Sequence, residues 1–193
     1  MTNVKFRNLG LKRKLILSVS LMGLCFAQIS TAAPNTTAAC QDDGFADAVQ
    51  CGVNAEATGN DSVAVGDAAT ATGSHATAVG PDSVASGGHS TALGVLSSAT
   101  GTESTAVGDA ASATGNESTA IGNESTASGL RGSAFGWRAQ ADGSQSTAIG
   151  PDSTASGSQS SALGFLSSAT GAESTAIGNE ASATGNELSL IHI

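Results

Sequence analysis

Residues 104–117 read Ser-Thr-Ala-Val-Gly-Asp-Ala-Ala-Ser-Ala-Thr-Gly-Asn-Glu, and Ser118-Thr119-Ala120-Ile121-Gly122 starts the same unit again. This fourteen-residue unit runs from 52 to 187 without a slip of phase. Its first glycine recurs as Gly66, Gly80, Gly94, Gly108, Gly122, Gly136, Gly150, Gly164 and Gly178. One apolar residue precedes each: Val65, Val79, Leu93, Val107, Ile121, Phe135, Ile149, Leu163 and Ile177. Alanine comes before that, from Ala64 to Ala176, and a second glycine row runs from Gly59 to Gly185 at the same step. A fixed period with constant small-residue rows means stacked, near-identical coils. It argues for a structural, surface-presenting protein and against an enzyme.

Each unit reads as two short strands closed by glycine turns. The first is like Ser118–Ile121 with Gly122, the second like Ala111–Thr114 with Gly115. Glycine suits both turns because it reaches positive φ without a Cβ clash. Alternation puts Thr119 and Ile121 on one face, Ser118 and Ala120 on the other. Two glycines and several β-branched residues per unit disfavour helix. Fourteen residues at about 3.3 Å each close one flat coil, and stacked coils pair as parallel strands about 4.8 Å apart. The fold class is therefore all-β, with some ten coils. A long-range copy is superimposed: Pro81–Glu117 nearly repeats as Pro151–Glu187, five coils on.

One Val or Ile and a few Ala per coil bury too little apolar surface to order fourteen residues inside a single chain. The shortfall points to burial against partner chains. The spacing leaves open whether the Val/Ile/Leu row fills the coil or faces an oligomer axis.

The S-T-A-(V/I)-G unit, with A-x-A-x-G behind it, resembles the head repeat of trimeric autotransporter adhesins, the YadA-like head. The resemblance covers residues 52–187 and includes the period, the glycine spacing and both alanine rows. The family's Val is replaced by Thr at Thr77, Thr91 and Thr105, and Val63 keeps it. The resemblance implies a left-handed parallel β-roll and a homotrimer. It also implies a Gram-negative cell-surface location and attachment to host matrix proteins, host cells or other bacteria.

The ends differ from the repeats. Residues 1–32 have the layout of a signal peptide. Lys5, Arg7, Lys12, Arg13 and Lys14 precede an apolar run from Leu15 to about Ile29, and Ser30–Ala33 offers cleavage after Ala32. The competing reading is an uncleaved anchor, for which the run is short, since a span takes about 20 residues. Without this leader, Arg131 and Arg138 stand against all 16 acidic residues. That balance disfavours nucleic acid and anionic lipid as partners. Residues 33–51 read as an N-terminal segment and cap. Cys40 and Cys51 are its cysteines, and export favours a disulfide between them over two free thiols. Residues 188–193 leave the phase and read as an aberrant tail, the mark of a truncated chain whose stalk and membrane anchor lie elsewhere; a natural cap is the alternative.

No catalytic constellation, cofactor motif or metal motif is expected. His75 and His89 occupy variable turn positions, and His192 lies in the tail. Glu103, Glu117, Glu124 and Glu173 fall in turn phases that read as solvated surface. One coil is unusual: residues 130–138 hold Arg131, Arg138 and Trp137, the only tryptophan. Trp and Arg are enriched at binding hot spots, so these three are the candidate ligand-binding residues. The competing reading packs Trp137 and Phe135 at a subunit interface. An alternative function is a repeat-built ice- or surface-binding protein using the threonine ladder of Thr105 and Thr119. Against it, such faces want two threonines per coil, and Ser133 and Ser161 interrupt this ladder.

Overall fold

The computed structural model describes residues 40–42 and 47–191, all within a compact unit spanning 33–193. The proposed signal peptide, its cleavage site and His192 lie outside the described residues. No described helix is long and apolar enough to cross a membrane.

The chain is a parallel β-solenoid. Every coil contributes a three-residue strand such as Thr105–Val107 and a two-residue strand such as Ser112–Ala113. The three-residue strands form a 12-stranded sheet and the two-residue strands a 10-stranded one. We call these the long-strand and short-strand sheets. Pairing between repeats is parallel and fourteen residues apart, as in Thr105↔Thr119 and Val107↔Ile121. The bonds also run through the turns: Thr105 N–H donates to Ser118 O at 2.9 Å, and Gly108 N–H to Leu93 O at 2.8 Å. Each coil thus satisfies its backbone on the coils above and below.

The interior is made of small residues alone. Ala64, Ala106 and Ala120 from the long-strand sheet and Ala71, Ala113 and Ala127 from the short-strand sheet are fully buried. Serines such as Ser97, Ser104 and Ser118 are buried with them. The Val/Ile/Leu row points the other way. Val65, Val79, Leu93 and Val107 are only half-buried, and Ile121, Phe135, Ile149 and Ile177 are exposed. The row therefore does not fill the coil, whose buried positions among the described residues hold only Ala, Ser and Gly. Thr77, Thr91 and Thr105 share its outer face and are half-buried.

Both glycine rows press against the next coil, a Cβ on Gly66 for example falling 2.5 Å from Gly80 O, but only one row has positive φ, which corrects the reading that both supply it. Gly66 through Gly178 have φ between 121° and 140°. The row from Gly59 does not. There, glycine is required because a Cβ on Gly101 would lie 2.1 Å from the carbonyl oxygen of Gly115 in the next coil. Left-handed backbone sits instead at the third residue of each turn, every seventh position, as at His75 (φ 56°), Ala110 (φ 54°) and Arg131 (φ 56°). Such a conformation costs about 1–2 kcal/mol for a residue with a Cβ. The N–H of each of these residues donates to the preceding coil, His75 to Asn60 O at 2.7 Å for example.

The ends extend the ladder. Strand Cys40–Asp42 pairs antiparallel with Val49–Cys51 and terminates the long-strand sheet. At the other end, Ser189–Ile191 pairs in register with Thr175–Ile177. The residue pattern breaks after Glu187, but backbone pairing does not depend on it. Leu190 falls in the alanine column and is exposed there.

Candidate functional site: two faces and two edges

The solenoid offers four repeated surfaces. The outer long-strand face carries the apolar column from Val65 to Ile177, continuous in register coil by coil. Beside it runs the Thr/Ser column of Thr105 and its equivalents. The outer short-strand face carries two hydroxyl columns with no bulky residue between them. Thr70 and Thr72, Ser98 and Thr100, Ser112 and Thr114, and Ser168 and Thr170 are examples, with Glu56, Val84, Gln140 and Asp142 as departures. Two hydroxyl residues per coil on one strand is the arrangement that the Thr105–Thr119 ladder lacked. This second face therefore meets the two-hydroxyl spacing that a lattice-binding face wants.

The other two surfaces are the turn edges. The forward edge follows each long strand, and the return edge follows each short strand. Residues seven apart are half a coil apart and fall on opposite edges. Trp137 and Arg138 occupy the forward edge and Arg131 the return edge. The three candidate residues of this coil are thus not brought together. Both arginines are engaged within the chain. Arg131 Nε donates to Glu117 Oε2 at 2.8 Å, and Nη2 to Oε1 at 3.3 Å, one coil below. This bidentate hydrogen bond holds the Glu117 carboxyl below its ordinary pKa and raises that of Arg131. Arg138 lies between Glu124 and Asp152, at 3.7 and 3.5 Å. Its guanidinium sits 5.2 Å from the Trp137 ring centroid. Trp137 is 47% exposed, and Phe165, on the same edge two coils on, is 46% exposed.

The YadA head domain repeat matches this chain in overlapping pairs of units at 52–69, 57–83, 71–97, 85–111, 99–125, 113–139, 127–153, 141–167 and 169–187. The chain belongs to the YadA head-repeat family. Among solved structures, the collagen-binding domain of the Yersinia adhesin YadA is similar at 28% identity. That match covers 72% of this chain and 70% of that one, with a TM-score of 0.49. No curated protein matches the chain.

Within this YadA-repeat head, Cys51 is disulfide-bonded, and Cys40 is its register partner on the antiparallel strand. Glu103, Glu117, Glu124 and Glu173 are exposed at turn positions as expected. Two features escaped the sequence reading. The return edge aligns His75 and His89 in adjacent coils, and the interior serines fall into two classes. Ser83, Ser97, Ser125, Ser153 and Ser167 each donate to a turn glycine carbonyl at 2.8–3.0 Å. Ser62, Ser90, Ser104, Ser118, Ser146, Ser160 and Ser174 are buried without a hydrogen-bond partner. The first class precedes short strands and the second long strands, a signal present in the repeat phase.

Proposed function

We propose that this chain is the head of a homotrimeric bacterial surface adhesin that attaches to an extended, repetitive partner such as host matrix collagen. The observation that carries the reading is the outward apolar column from Val65 to Ile177. It lies on the outer long-strand face, half-buried at Val65, Val79, Leu93 and Val107 and exposed at Ile121, Phe135, Ile149 and Ile177. Burial of this column against two further copies supplies the apolar contact that the Ala/Ser interior lacks. The remaining surfaces then repeat on every coil and on three subunits, so weak contacts add by multivalency. The collagen-binding activity named for the Yersinia protein supports collagen as the first ligand to test. Export by the leader at 1–32 and anchoring by a C-terminal domain complete the proposal, with residues 33–51 capping the first coil.

Solid-phase binding to collagen with coils deleted in whole fourteen-residue steps is the test. Binding that declines in steps supports the distributed surface. Complete loss on replacing Trp137 and Arg138 with the Asp109 and Ala110 of an ordinary forward turn, in a head of unchanged oligomeric state, overturns it in favour of one discrete site. The second reading, a lattice binder, is favoured by the two hydroxyl columns of the short-strand face. Thermal hysteresis in the purified chain, abolished by Thr114→Lys, would establish it. Its absence would leave the adhesin reading alone.

A further inference from the structure

The return edge stacks His75 directly beneath His89. Their ring centroids are 4.7 Å apart and the ring planes differ by 22°. Asp61 occupies the same position one coil below, its Oδ2 3.4 Å from His75 Nδ1. Glu103 occupies it one coil above. The backbone that presents these side chains is repeated and braced. His75, His89 and Glu103 have φ of 56°, 57° and 57°, and their N–H groups donate to Asn60, Ser74 and Gly88 of the preceding coils at 2.7–2.8 Å. Two exposed imidazoles one rung apart on fixed backbone place two nitrogen donors on adjacent coils, within reach of one ion once the stacked rings tilt.

We propose that His75 and His89 form a clamp for one divalent transition-metal ion of the zinc, nickel and copper class. Imidazole suits these ions, whereas magnesium and calcium prefer oxygen. Among the described residues no three ligating side chains already converge. The clamp is therefore a two-point one, closed by tilting the rings toward each other, with water filling the remaining positions. Asp61 acts as a positioning residue. A carboxylate beside Nδ1 fixes the tautomer that leaves Nε2 free for the metal. The ion would tie coils 61–89 together along the return edge, so binding stabilises the folded state. The proposal rests on this edge alone and is independent of the adhesive ligand.

Calorimetric titration of the full chain with nickel or zinc chloride tests it. One ion per chain is expected, with a metal-dependent rise in melting temperature. His75→Gln and His89→Gln should each abolish both signals. These substitutions preserve the fold, since Gln145 and Gln159 occupy the same row with φ of 57° and 56°. Asp61→Asn should weaken binding by about tenfold. His192→Gln should change nothing, and magnesium should not bind. No saturable binding, or binding that survives both histidine substitutions, overturns the clamp.

Discussion

Two buried serines in consecutive half-coils should respond to the same substitution with opposite signs. Ser97 and Ser104 are both fully buried, seven residues apart, and chemically identical. Ser97 Oγ donates to Gly94 O at 2.9 Å, whereas Ser104 Oγ has no partner. Removing a satisfied hydroxyl loses a net hydrogen bond of about 1 kcal/mol. Removing an orphaned one relieves the cost of holding a polar group away from water, about 1–3 kcal/mol on mutational scales. The volume change is one oxygen, and Ala already fills each column at Ala111 and Ala76, so no cavity term intervenes. Ser97→Ala is therefore expected to destabilise by about 1 kcal/mol per chain and Ser104→Ala to stabilise by at least about 1 kcal/mol. Urea unfolding followed by circular dichroism, at one fixed protein concentration, reads the difference. The reasoning fails if both substitutions destabilise equally, because the long-strand hydroxyl would then have a bonding role after all.

Gly101→Ala places a methyl 2.1 Å from Gly115 O, whereas a Cβ on Gly88 meets nothing within 4 Å. The first should disrupt the stack by more than about 4 kcal/mol and the second should cost little, as thermal melts of the two variants will report. The Glu117 carboxyl, lowered by Arg131, should titrate below an ordinary glutamate in a carbon-detected NMR experiment. Arg131→Gln should return it to the ordinary range. The sign follows from the lowered folded value: this pair contributes stability above the unfolded carboxylate pKa and loses it as pH falls through the folded one. Cys40 is expected to be the partner of Cys51, closing a short loop worth roughly 3 kcal/mol. Peptide mapping without reductant should recover the linked pair, and two free thiols in exported protein would refute it.

Much of this architecture is legible in residues 104–117. The period, the glycines and the alternation of Thr119 with Ala120 lead to stacked two-strand coils, because strand periodicity and glycine punctuation are local signals. Alternation also pairs Ile121 with Thr119, but it cannot say which face is inside. That depends on how closely two sheets approach, and only the alanine rows of both strands together decide it. Sequence alone gives the wrong cause for the Gly59 row for the same reason. Its constraint comes from a carbonyl fourteen residues away, not from the turn itself. Arg131 and Trp137 look like one cluster on the linear chain, yet half a period separates them, so the coil places them on opposite edges. On the linear chain His75 and His89 look like two separate turn residues. A spacing of one full period was the available sign that they meet.

The central claim is that the outward apolar column is an interface between copies of this chain. Sedimentation equilibrium on residues 33–193 tests it most directly. The account expects a trimer, shifted toward dissociation by Ile121→Glu at the exposed centre of the column. A folded, stable monomer at micromolar concentration, unchanged by Ile121→Glu, would contradict it.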